Sequence, residues 1–221
     1  MFVGHYGVSF AAKRLDQSVP LWALFIAVQL LDVLWAPLVL LGIEKVRIVP
    51  GITASNPLDL YYMPYTHSLV AAVIWSAAAL LLYRLLAGPG RAEKAALVVG
   101  LAVFSHWVLD LLVHRPDLPL YDDTAKIGLG LWNLPFVAFA LEAALLFGGM
   151  WLYLILGTRP RLPMMLFGLV MLAIQAYIFF GPAPVSDRAI AMTALAAYAV
   201  FAAVVARLER SAKNARRGNA G

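Results

Sequence analysis

Six long apolar stretches dominate this chain, at residues 19–43, 66–86, 95–114, 131–156, 162–180 and 189–206. A helix needs about 20 predominantly apolar residues to cross a hydrocarbon core roughly 30 Å thick. Composition points the same way. The 221 residues are 63% hydrophobic and 13% charged, whereas a soluble domain has ~45–50% apolar and ~25% charged residues. One water-soluble core cannot hide that excess, so much of it must face lipid. The expected fold class is therefore all-α: a polytopic membrane helical bundle of about six transmembrane helices, preceded by a short N-terminal helix that is re-entrant or interfacial. Residues 1–206 read as one transmembrane helical domain and 207–221 as a basic, disordered cytoplasmic tail. Pro and Gly cluster between spans, in Gly88-Pro89-Gly90, Arg159-Pro160-Arg161 and Gly181-Pro182-Ala183-Pro184, and mark turns at the membrane surfaces.

Alternate loops differ in basic charge. Twelve Lys and Arg fall on the side that carries Lys13, Arg14 and the tail, and five on the other. That asymmetry places both termini in the cytoplasm. Lys13 and Arg14 follow the apolar segment 1–12, and no cleavage site precedes the first span, so that span is expected to be retained. Segment 1–12 reaches about 18 Å as a helix, roughly half the core. It either tilts inward, carrying His5 toward mid-membrane, or lies flat on the interface.

Ionisable groups inside a hydrocarbon span are costly unless paired or hydrated, which makes them functional candidates. Asp32 lies in the first span, His67 at the outer start of the second, His106 and Asp110 in the third with His114 and Asp117 at its exit, and Glu142 in the fourth. His106 and Asp110 are four residues apart and share one helix face, where they can chelate one divalent ion or pair as ligand and orienting carboxylate. His114 continues the stripe but lies about 12 Å along the axis from His106, which reads as a substrate-facing, interfacial or second-metal position. Asp32, His67, His106 and Asp110 all fall between mid-membrane and the extracytoplasmic face, and an inward N-terminal helix adds His5. With no Cys in the chain, the N/O donor set suits Zn²⁺, Mn²⁺ or Fe²⁺, with Zn²⁺ favoured. Gln29 and Gln175 read as interhelical glue, and Glu142 as a functional group or a pairing partner on a neighbouring helix. The loop Lys126–Asn133 reads as a plain surface connection, although its glycines and Lys126 would also suit an anionic ligand.

Gly4-His5, Asp32, Thr66-His67-Ser68-Leu69 and Ser105-His106 with Asp110 resemble the bacterial membrane-bound metal-dependent hydrolases, the inner-membrane group described as LexA-regulated. The resemblance covers residues 1–135. It implies a divalent metal held by His5, Asp32, His67, His106 and Asp110, and a location in the bacterial inner membrane. Two departures stand out. The family often carries Pro-Asp-x-Asp-His where this chain has Leu31-Asp32-Val33-Leu34-Trp35, and His-Arg-Gly where this chain has Tyr62-Met63-Pro64. The expected activity is hydrolysis of an amphiphilic substrate (a lipid, a lipid-linked phosphate or an ester) from the extracytoplasmic side. Ser68, His114 and Asp117 would handle protons or position substrate. Membrane lipids and an amphiphilic small molecule are the expected partners; nucleic acid is not. Three other readings fit the same residues: an ion- or proton-coupled transporter using Asp32, Asp110 and Glu142, a haem protein with two axial histidines, and a non-catalytic membrane subunit with a structural metal.

Overall fold

The computed structural model describes residues 1–88, 92–155 and 161–218, with side chains through 211. Parts of the expected turns at 88–90 and 159–161, and the tail residues 219–221, lie outside the described residues. Eight helices form in chain order: α1 (Val3–Leu15), α2 (Leu21–Val28), α3 (Leu30–Leu40), α4 (Leu69–Ala87), α5 (Ala92–Val113), α6 (Pro135–Leu154), α7 (Arg161–Phe180) and α8 (Asp187–Gly218). α4 to α8 each contain a segment long and apolar enough to cross a membrane, and α2 with α3 supplies a sixth if the bent pair counts as one span. The all-α membrane bundle expected from the apolar runs is the fold observed.

The first span departs from a continuous helix. α2 and α3 meet at Gln29 with a 53° bend. The Gln29 side-chain amide donates to the Phe2 carbonyl at 3.2 Å, so the break is fixed by contact with α1. The stretch after it is also not plain loop. Lys45–Ile48 (β1) and Leu58–Tyr62 (β2) pair antiparallel, Arg47 opposite Asp59. The helix of the second apolar stretch follows this hairpin. α4 starts at Leu69, where the Ser68 hydroxyl accepts the Ala71 N–H at 3.1 Å as N-cap.

α1 lies inside the bundle rather than on its surface: Val3, His5, Tyr6, Ser9 and Phe10 are fully buried. Its close neighbour is α6, and two glycines make the approach possible. A Cβ on Gly7 would sit 2.1 Å from the Leu145 carbonyl oxygen, and one on Gly149 would sit 2.0 Å from the Gly7 oxygen. Glu142 of α6 caps the start of α1, accepting the N–H groups of Phe2 (3.0 Å) and Gly4 (3.1 Å). These are two of the donors a helix N-terminus leaves without an internal partner. At the other end Lys13 is buried, not at the surface as expected from sequence, and pairs with Glu209 of α8 at 2.8 Å. α8 continues past the span to Gly218 as one helix.

Candidate metal centre

Asp110 is the hub. It lies on the inward face of α5, and both its oxygens are surrounded by nitrogen. At Oδ2 stand His106 Nε2 (3.1 Å), His114 Nε2 (3.6 Å) and His67 Nε2 (3.8 Å). At Oδ1 stand His5 Nε2 (3.1 Å) and the Met1 nitrogen (2.5 Å). Asp32 completes the cluster, its Oδ1 3.3 Å from His67 Nε2 and 3.7 Å from His106 Nε2. Two sets of three, His5/His106/Asp110 and Asp32/His67/His106, each bring their donor atoms within 4.8 Å of one another. Three helices, α1, α3 and α5, and the turn before α4 thus deliver to one point the five residues expected as ligands.

The outer ring nitrogens explain which nitrogens face inward. His106 Nδ1 lies 2.7 Å from the Val28 carbonyl, which can only accept, so Nδ1 carries the proton. Val28 would bond Asp32 N–H in an unbroken helix; the break at Gln29 leaves its oxygen to His106. His114 Nδ1 lies 2.8 Å from Asp117 Oδ1, again an acceptor. His67 Nδ1 lies 2.8 Å from Thr66 Oγ1, whose own hydrogen goes to Glu44 Oε2 at 2.6 Å. All three histidines therefore turn an Nε2 lone pair toward Asp110 and Asp32. A carboxylate, carbonyl or hydroxyl behind a metal-ligating histidine fixes its tautomer and ring orientation in this way. His106 Nε2 is fully buried and makes no hydrogen bond. A buried lone pair without a donor is costly, and a cation would satisfy it. The donor set thus fits a divalent ion.

Ring orientation adds a constraint. His5 and His106 stack with centroids 4.0 Å apart and planes within 6° of parallel. An imidazole lone pair lies in its ring plane, so one ion cannot lie in both planes. His67 and His106 are inclined at 65°, and their planes intersect. His106 accordingly shares an ion with His67 and Asp32 more readily than with His5, which faces the opposite oxygen of Asp110.

His114 lies two turns from His106 along α5, and Asp110, one turn from each, has its Oδ2 3.6 Å from His114 Nε2. Ser68 differs from expectation: its hydroxyl hydrogen goes to the Pro64 carbonyl at 2.7 Å while its oxygen caps α4, which leaves none for proton transfer. Asp117 lies behind His114 and is held from the far side by Arg115, whose Nε is 3.2 Å away. Arg115 also pairs with Asp59 of β2, which in turn binds Arg47 Nε at 2.6 Å. The loop after α5 roofs the centre: Gly130 N–H returns to the His114 carbonyl at 2.6 Å, and the Trp132 ring lies 4.3 Å from the His114 ring. Lys126 binds the Tyr61 carbonyl and Asp123, in line with the plain reading of that residue. Glu142 and Gln175 bond each other at 2.9 Å.

Sequence reasoning gave no role at the centre to Thr66, Glu44, Trp132 or Tyr198. Tyr198 of α8 donates to Asp32 Oδ2 at 2.7 Å, steadying the carboxylate from behind. Glu44 is buried beneath Thr66, and that burial raises its pKa above the ordinary carboxylate value against three hydrogen bonds and the nearby His67. Thr66 stands in the Thr-His-Ser motif and Trp132 in the loop 126–133; nothing local in the sequence marks Glu44 or Tyr198.

A cavity of about 650 Å³ opens directly onto the centre, with Asp32, His67, Asp110 and His114 in its polar end. Comparison with known proteins identifies no relative: no family model, no curated protein and no solved structure matches this chain.

Proposed function

We propose that this chain is a membrane-embedded metal-dependent hydrolase acting on an amphiphilic substrate. The observation that carries the reading is the set of three Nε2 lone pairs, from His67, His106 and His114, turned toward the buried Asp110 and half-buried Asp32 carboxylates at the end of a mostly apolar cavity. Asp32, His67, His106 and Asp110 Oδ2 are the donors for one divalent ion, Zn²⁺ by donor type. His5 and Asp110 Oδ1 are left as donors for a second, since the His5 plane cannot share the first. Bound divalent ions polarise the scissile group and lower the pKa of water, and paired ions suit in-line displacement at phosphorus. That chemistry favours a lipid phosphate or lipid-linked phosphate over a carboxylic ester.

The protein's own groups then have distinct tasks. Asp110 joins the two halves of the centre through its two oxygens. Tyr198 holds Asp32, and the Thr66 hydroxyl holds His67. His114, backed by Asp117, is the residue placed to move a proton at the cavity mouth. Trp132 limits water access above it. The resemblance to the inner-membrane hydrolases and the twelve-to-five basic asymmetry support a bacterial inner-membrane location, cytoplasmic termini and a centre facing the outer half of the bilayer.

The test is elemental analysis of the purified protein alongside phosphate release from dispersed phosphatidic acid. Wild type should carry close to two divalent ions per chain and release phosphate. His106→Ala should lose both metal and turnover. Wild-type protein without metal, after purification in zinc-supplemented buffer, would refute the reading.

A further inference from the structure

The cavity has a second end, away from the histidines, between α7 and α8. These helices are joined by the short turn around Pro182–Pro184 and meet again where the Phe167 and Phe201 rings pack edge to face at 5.6 Å. Between those two points the pair is parted. α7 rests on α6 and α1, and α8 on α2 and α3, while the cavity runs between them. Its walls there are Ile174 and Ile178 of α7 and the smaller Ala189, Thr193, Ala194 and Ala197 of α8. Ile178 is also nearly half exposed on the outside of the bundle. The slot therefore has a polar inner end at the centre and an apolar length flanked by two spans that face lipid.

A water-soluble substrate would have no use for such a slot, and water in it would find few partners. A hydrocarbon chain matches it, and the volume lies within the ~300–1,000 Å³ of small-molecule sites. We propose that the parting between α7 and α8 is a lateral port. Through it a membrane lipid keeps its acyl or prenyl chain between the two helices while its head group meets Asp32, His67 and Asp110. This rests on the hydrolase reading for the head group, but the chain slot has its own observation, the apolar gap continuous with the centre. It assigns the substrate class as a lipid with at least one long chain, reached from the bilayer rather than from solution.

Photo-crosslinking tests the port without needing turnover. The full chain is placed in nanodiscs of phosphatidylethanolamine and phosphatidylglycerol doped with phosphatidylglycerol that carries a diazirine in its acyl chain. After irradiation, labelled residues are mapped by mass spectrometry. Labelling at 174–178 and 189–197 should exceed that on the lipid face of α4, at Leu81, Leu82 and Leu85, which are exposed and line no slot. Ala194→Trp, filling the slot, should reduce port labelling by about tenfold, the ratio set by ~1.4 kcal/mol, and leave α4 labelling and metal content unchanged. Ile178→Trp on the facing helix should act alike, which guards against one variant that fails to fold. Equal labelling of port and α4, or port labelling indifferent to both tryptophans, would mean annular lipid only and overturn the port. Metal measured in the same samples separates the two ideas. A labelled port on metal-free protein would sink the hydrolase reading alone; a metal-loaded protein with an unlabelled port would sink the port alone.

Discussion

The wall of the centre built by α1, α5 and α6 and the wall built by α7 and α8 pack in opposite ways, although α5 to α8 are alike in length and apolarity. On the first wall, glycine faces backbone: Gly7 and Gly149 let α1 and α6 touch, and Glu142 of α6 accepts the N–H groups of Phe2 and Gly4 at the start of α1. On the second, Ile174 and Ile178 look across a gap at Ala194 and Ala197. The difference teaches that hydropathy decides which segments enter the bilayer and says little about how they meet. Without a hydrophobic drive between helices in lipid, contact depends on small residues and hydrogen bonds. The first wall is rich in both. The second is joined to the centre by Tyr198–Asp32 and to α6 by Gln175–Glu142, and the slot between its helices is lined mainly by Ile and Ala side chains.

If the dense wall sets the geometry of the centre, disturbing it should be severe and disturbing the loose wall mild. The largest effect is expected for Asp110→Asn, which keeps the shape and removes the charge shared by both halves. Metal affinity, measured by competition with a chromophoric chelator, should fall by more than about 100-fold, beyond the ~10–100-fold cost of losing an outer partner. Wild-type affinity in that variant would break the comparison outright.

Gly149→Leu comes next. The new side chain meets the Gly7 backbone, which cannot turn aside, so α1 must shift and take His5 with it. Thermal unfolding in detergent should show a loss of about 1–3 kcal/mol, the usual range for overpacking, with metal stoichiometry dropping toward one. Unchanged stability and two ions would show that α1 is not held as described.

Thr66→Val is subtler. It removes the hydroxyl behind His67 and leaves the ring free to turn. Metal affinity should fall by about tenfold, at the low end for an orienting partner, while unfolding stays cooperative. No change would mean that packing alone orients His67.

Ala194→Trp is the smallest. On the loose wall the indole enters open space, so stability should move by less than about 0.5 kcal/mol. A large loss would show that the two walls are equally tight.

Much of this was legible in the chain and some was not, for physical reasons. Apolar runs mark spans because lipid imposes length and polarity on each segment separately. His106 and Asp110 stood out because helical spacing puts them on one face. The break at Gln29 was hidden because its cause is tertiary: α1 binds the Gln29 side chain and His106 takes the freed carbonyl of Val28. The reach of Asp110 to His114 was hidden because axial distance was measured to His106, whereas the carboxylate lies one turn from each. The β1–β2 hairpin was obscured because Leu58–Tyr65 is apolar and aromatic enough to pass for the start of a span. Glu142 had two readings until its partners appeared as the N–H groups of Phe2 and Gly4, 140 and 138 residues away in sequence.

That last separation bears on how the protein is made. α1 leaves the ribosome first, yet its cap is Glu142 and the partner of its Lys13 is Glu209. At about 5–20 residues per second, synthesis of the intervening 140 residues takes roughly 7–30 s, and Glu209 comes later still. For that interval the first helix has no berth, and His5 has no centre to join. Spans can be threaded into the bilayer one by one, but the buried His/Asp cluster gains Tyr198, the donor behind Asp32, only when the last helix arrives. A nascent chain released before α8 would therefore be inserted into the bilayer while Asp32 still lacks Tyr198 behind it.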